Sequence, residues 1–215
     1  MRFSLAEALR LYLVTDQTSL RGRTLADVVL AAVQGGVSCV QLREKALATR
    51  DFVALALAMK DILAPFNVPL VINDRLDVAL ACGAHGVHLG QSDMPVARAR
   101  QLLQPEVFIG LSVENLGDVA RAASQPVDYL GISPVYATPT KTDTAAPWGL
   151  AGVRQVRTLI RLPLVAIGGI HQGNAAAVLQ AGADGLAVVS AICSAPDPQA
   201  AAHSFQTIFK AHQAP

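Results

Sequence analysis

Eight short apolar runs recur along the chain: Leu11–Thr15, Ser38–Arg43, Pro69–Asn73, Gly86–Leu89, Val107–Ser112, Val127–Ile132, Leu162–Ile167 and Gly185–Ser190. Each is continuous in apolar residues rather than alternating, which predicts a strand buried on both faces. Longer Ala- and Leu-rich stretches lie between them. Thr24–Gln34, Asp51–Leu63 and Asn174–Ala181 carry the three-to-four spacing of helices. Asn174 stands where a helix cap would, and Gly35-Gly36 and Gly182 follow helix ends. A turn on glycine re-enters a strand three times, at Gly35-Gly36-Val37, Gly83-Ala84-His85-Gly86-Val87 and Gly182-Ala183-Asp184-Gly185-Leu186.

Repeated strand–helix units with short connections predict a parallel sheet with right-handed crossovers. Eight units in 215 residues average about 27 residues each, the repeat of a (β/α)8 TIM barrel, an α/β fold expected to occupy residues 1–215 as a single domain. The alternative is an open doubly wound sheet, which usually carries Gly-x-Gly-x-x-Gly after its first strand; that fingerprint is missing here. The longest connection, Ser133 to about Trp148, follows the sixth strand and is a candidate active-site lid.

Composition narrows the function classes. The chain is 52% hydrophobic and 15% charged, which excludes a disordered protein and calls for a deep interior. A net charge of +1 offers no broad field for nucleic acid or an anionic membrane, and no apolar stretch suffices to span a bilayer. Cys39, Cys82 and Cys193 are odd in number and far apart, so they read as reduced residues in a cytoplasmic protein. Assembly into a homo-oligomer is left open.

A barrel carries its active site at the C-terminal ends of its strands. Those positions here are Gln41, Arg43 and Lys45 after the second strand, Asn73-Asp74 after the third, and His88 to Asp93 after the fourth. Ser112 ends the fifth, Thr138-Pro139-Thr140-Lys141 follows the sixth, and Gly168-Gly169 and Val189-Ser190 end the last two. Each residue has a plainer use. Arg43 and Lys45 could be surface charges, Asp74 and Asp93 helix caps, and His88 a hydrogen-bonded rim residue, since no second His or Cys stands at metal spacing. Taken together, two acids, several cations and glycine turns on one rim suit a phosphate and a divalent metal; backbone N–H groups at a glycine pair can cradle a phosphate.

Gln41-Leu42-Arg43-Glu44-Lys45, Ile72-Asn73-Asp74-Arg75, His88-Leu89-Gly90-Gln91-Ser92-Asp93-Met94-Pro95 and Thr138-Pro139-Thr140-Lys141 resemble, in order and spacing, the motifs of the thiamine phosphate synthase family. The resemblance runs from Tyr12 to about Ile192. It departs at Ser133, where the family often has glycine, and at Tyr136, where it often has phenylalanine. It implies a Mg²⁺-dependent transferase that joins an aminopyrimidine diphosphate to a thiazole phosphate, plain or carboxylated, and releases diphosphate. It implies that Gln41, Arg43, Lys45, Asn73, Ser112 and Lys141 hold the pyrimidine and its diphosphate, with Arg43, Lys45, Lys141 and Ser112 acting in catalysis. Asp74 and Asp93 would hold Mg²⁺, and Thr138, Thr140, Gly169, Val189 and Ser190 the thiazole phosphate.

Two other barrels compete. A thiazole tautomerase would dispense with the diphosphate and metal residues, and it would have a histidine after the fifth strand where this chain has Glu114. A Schiff-base aldolase would use Lys45 or Lys141 with a depressed pKa and would need no metal. A regulatory barrel would bind the ligands without turnover.

Overall fold

The computed structural model describes residues 4–138 and 146–213. Eight parallel strands close into a barrel in sequence order: β1 Leu11–Val14, β2 Cys39–Leu42, β3 Leu70–Asn73, β4 Gly86–Leu89, β5 Phe108–Val113, β6 Tyr129–Ile132, β7 Leu164–Ile167 and β8 Gly185–Val188. β8 returns to β1 with Leu186 opposite Leu11, Ala187 opposite Tyr12 and Val188 opposite Leu13, so no sheet edge is left open. The fold is the expected (β/α)8 barrel, and the open-sheet alternative falls.

A four-residue helix, α1 (Leu5–Ala8), precedes β1. Helices α2 (Leu25–Gln34), α3 (Thr49–Leu63), α4 (Leu76–Cys82), α5 (Val96–Leu102), α6 (Leu116–Ala122), α7 (Gly149–Leu159) and α8 (Gln172–Gln180) each follow a strand. After β8 come a single turn, α9 (Ser190–Cys193), and the long α10 (Pro198–Gln213). α10 packs against α2 and α8 and so seals the helical ring between the last unit and the first.

The strands' two buried faces serve two cores. Residues such as Leu13, Val40, Leu42, Ile72 and Leu130 face outward into the helices, in the large core. Tyr12, Val14, Cys39, Val71, Phe108, Tyr129, Val165 and Ala187 fill the barrel, alternating with the first set along each strand. This double burial is why the runs read as continuous rather than alternating. Glycines give the larger rings room inside. A Cβ on Gly86 would meet the Phe108 ring, and one on Gly110 the Tyr129 phenol.

Strand ends moved by one or two residues, and two expectations are corrected. Ser190 begins α9 instead of ending β8. His171, not Asn174, caps α8: its Nδ1 accepts from the Gly173 N–H, while Asn174 sits inside the helix and its Oδ1 accepts from the His171 N–H. Among the described residues, no helix is long and apolar enough to cross a membrane.

Candidate active site

The C-terminal ends of the strands surround a cavity of about 1010 Å³. Eleven of the thirteen residues singled out from the sequence line it: Gln41, Arg43, Lys45, Asn73, Asp74, Asp93, Ser112, Thr138, Gly169, Val189 and Ser190. Thr140 and Lys141 lie outside the described residues, as does the middle of the proposed lid.

β2 aims Gln41 into the barrel and carries Arg43 and Lys45 on the same side, as the two-residue period requires. The Arg43 N–H donates to Thr15 Oγ1 at 3.0 Å, which fixes the chain as it leaves the strand. Lys45 Nζ donates to Asp74 Oδ2 at 2.5 Å. Asp74 takes a left-handed conformation, φ 63°, while its N–H bonds the His88 carbonyl at 2.8 Å. That turn swings its carboxylate toward the fourth strand's loop.

Neither aspartate caps a helix through its side chain. α4 is entered at Arg75 and α5 at Pro95, and neither helix has a side-chain cap. Asp93 Oδ2 instead accepts from the Gly90 N–H at 2.7 Å. Burial raises the Asp93 pKa above the usual carboxylate range, and the neighbouring Asp74 carboxyl adds to this against the pull of the Gly90 N–H. Two carboxyls that disfavour joint ionisation, both hard oxygen donors, suit a divalent cation, which would relieve that repulsion. Among the described residues no group of three or more His, Cys, Asp or Glu gathers. The pair therefore fits a cation that takes its remaining ligands from substrate oxygens and water, the habit of Mg²⁺.

On the opposite rim, Gly168 and Gly169 take positive φ of 103° and 63°. A Cβ on Gly169 would stand 2.8 Å from Tyr136 Cβ and 2.9 Å from the Ala137 carbonyl oxygen. The β6 loop is strapped to this turn by Val135 N–H to Ile167 O (2.8 Å) and Tyr136 N–H to Gly168 O (3.1 Å). Asn174 Nδ2 holds the Gly169 carbonyl from behind at 2.9 Å, turning its peptide toward α8.

Several lining residues were not singled out from the sequence as site residues: Tyr12, Thr15, Arg21, Tyr129, His171 and Gln172. His88 is hydrogen-bonded, as its plainer reading held, but points into the barrel. Its Nδ1 meets Tyr129 Oη and its Nε2 meets Ser112 Oγ, both at 2.9 Å. A tyrosine within an apolar strand reads as core; only a polar residue at the matching inward position of another strand would have marked it.

The family model for thiamine monophosphate synthase matches residues 11–192. A thiamine-phosphate synthase from Albidiferax ferrireducens is 75% identical over 196 residues, covering 91% of this chain and 90% of that protein. One from Chloroflexus aurantiacus is 49% identical over 204 residues, 95% of this chain and 94% of its own length. Among solved structures, a thiamine phosphate pyrophosphorylase from Pyrococcus furiosus superposes with a TM-score of 0.89 at 33% identity, covering 98% of this chain and all of that one.

Proposed function

The chain belongs to the thiamine monophosphate synthase family and is a transferase of thiamine biosynthesis; from that premise we propose that its substrates are an aminopyrimidine diphosphate and a thiazole phosphate, joined with Mg²⁺ present. The observation that carries this reading is the convergence of eleven expected residues on one cavity, with anion-binding groups at two ends. The tautomerase reading would leave the Asp74–Asp93 pair and the Arg43–Lys45 cations without a task, and no feature of the cavity favours the aldolase.

The reaction breaks the bond between the pyrimidine's methylene carbon and the diphosphate oxygen, and forms a bond from that carbon to the thiazole nitrogen. An electron-rich aminopyrimidine stabilises positive charge at that carbon, so departure of diphosphate runs ahead of attack and no covalent nucleophile is needed. Gln41, Asn73 and Ser112 hold the pyrimidine ring. Arg43, Lys45 and Lys141 bind the diphosphate and stabilise the charge growing on it; one such contact contributes roughly 3–4 kcal/mol, taking oxyanion donors as a guide. Mg²⁺, held by Asp74 and Asp93, would neutralise further charge on the leaving group. Thr138, Thr140, Gly169, Val189 and Ser190 take the thiazole phosphate and set nitrogen against carbon, while a closed barrel floor keeps water from intercepting the cation.

The test is product formation from the two substrates, with Mg²⁺ and then with chelator. Thiamine phosphate and diphosphate in equal amounts, only with metal and both substrates, are expected. A folded protein that makes neither would remove these substrates from the reading.

A further inference from the structure

Five side chains from five strands form an unbroken hydrogen-bonded line across the barrel at the floor of the cavity. Gln41 Nε2 donates to Tyr12 Oη at 2.9 Å, and Tyr12 Oη meets Tyr129 Oη at 2.8 Å. Tyr129 Oη meets His88 Nδ1, and His88 Nε2 meets Ser112 Oγ, both at 2.9 Å. All five line the cavity, with Gln41 and Ser112 at the two ends of the line. Tyr12 and Tyr129 lie far apart in sequence and are 2% and 0% exposed.

Such a line has a direction. A phenol has one proton to give, and a neutral imidazole has one donor and one acceptor nitrogen. Burial pushes both phenols well above their ordinary range, so both remain proton donors. With the Gln41 amide N–H given to Tyr12, Tyr12 gives to Tyr129, Tyr129 gives to Nδ1, and Nε2–H gives to Ser112. Gln41 is left presenting an oxygen to the cavity and Ser112 its own proton. Reversing one end while keeping the other sets two donors or two acceptors against each other at some link, at a cost that is greatest at the buried tyrosine pair. Both rings occupy space that glycine leaves open. A Cβ on Gly131 would lie 2.9 Å from His88 Cε1, and one on Gly110 would overlap the Tyr129 phenol.

We propose that Tyr12, Tyr129 and His88 are positioning residues that lock opposite hydrogen-bonding polarity onto Gln41 and Ser112, so that the site takes a ligand donor at Gln41 and a ligand acceptor at Ser112. This rests on the reading that an aminopyrimidine occupies this end of the cavity. A 4-aminopyrimidine offers Gln41 an amino N–H donor where the 4-oxo pyrimidine offers a carbonyl acceptor, and a ring nitrogen facing the opposite wall serves Ser112 as acceptor. The relay therefore sets the choice between them.

The test measures binding of the 4-amino and 4-oxo pyrimidine diphosphates, without thiazole, to the wild-type protein, Tyr129→Phe and Tyr12→Phe. Wild type should favour the amino form by roughly tenfold to hundredfold, the size of one mismatched buried hydrogen bond. Tyr129→Phe cuts the line while keeping the ring, lets the Gln41 amide turn, and should shrink the ratio to about threefold or less. Tyr12→Phe makes the same cut nearer Gln41 and serves if the first variant does not fold. An equal loss for both ligands with the ratio unchanged would reduce the tyrosines to packing and overturn the proposal. Nitrogen-15 shifts of His88 in the ligand-free protein supply an independent arm, expected to show bare Nδ1 and protonated Nε2. The opposite tautomer, or a charged ring, overturns the relay whatever binds. If neither pyrimidine binds wild type, the substrate reading fails and the tautomer alone decides the relay.

Discussion

Asp93 and Gly169 carry the two ends of the proposed chemistry, and each does so for a reason visible in its surroundings. Asp93 is partly desolvated, beside a second carboxyl, and fixed by the Gly90 N–H. Asp93→Asn keeps the shape and an oxygen for that N–H but removes the charge. Calorimetry of inorganic diphosphate binding should then lose at least about tenfold of its Mg²⁺-dependent gain, or ~1.4 kcal/mol, with thermal stability kept. A gain equal to wild type would take Asp93 out of the metal site. Gly169 has both a positive φ and backbone close by, so a methyl group there strains the turn and pushes against the Ala137 carbonyl. Gly169→Ala should weaken thiazole phosphate binding more than pyrimidine diphosphate binding, because in the proposed arrangement only the former reaches this rim. Equal weakening of the two in titrations would mean that the change spreads through the whole barrel.

Helix α6 shows how local chemistry supports the site. At seven residues it is too short to persist alone. Asn115 Oδ1 caps it by accepting from the Asp118 N–H at 3.0 Å, and Asp118, 3% exposed, accepts from the Glu114 N–H at 2.9 Å and pairs with Arg121. The knot anchors the segment that leaves β5 just past Ser112. Asn115→Ala should cost about 1 kcal/mol, lowering the thermal midpoint by roughly 2–4 °C for a chain of this size. An unchanged midpoint would show that the cap is already satisfied by water. The elements themselves were legible because eight apolar runs need eight buried strands. Their ends were not, since pairing with a neighbour, rather than apolarity, decides where a strand stops: Leu162-Pro163 continue an apolar run, yet β7 begins at Leu164. The site was legible where strand ends carry charge or glycine. The relay was hidden because the Tyr12–Tyr129 contact joins residues 117 apart and both look like core. His171 was missed as a cap because a ring nitrogen can do what Asn174 was expected to do.

A barrel that buries acidic hydroxyls and thiols should be vulnerable at high pH. Burial raises the pKa of Cys39, Tyr12 and Tyr129 well above ordinary values, and that of Cys193 from 9.0 to about 11. For each, the folded state favours the protonated form. Below the unfolded-state pKa both states are protonated and the stability is fully present. Above it the unfolded chain ionises and the folded chain does not, so stability falls until the pH passes the folded value. For Cys193 the window runs from about 9 to about 11, and two pKa steps correspond to roughly 3 kcal/mol. Against a total of about 5–15 kcal/mol for a typical domain, one buried thiol takes a large share and the phenols extend the loss further up the scale. Urea unfolding followed from pH 8 to pH 11 should therefore show a flat region and then a steep decline. Cys193→Ala, although less stable at pH 8 for want of packing, should decline less steeply by about one proton per molecule. If its slope matched wild type, the thiol would have to ionise as easily in the folded protein as in water, although Cys193 is fully buried in the core beside the Val14 carbonyl.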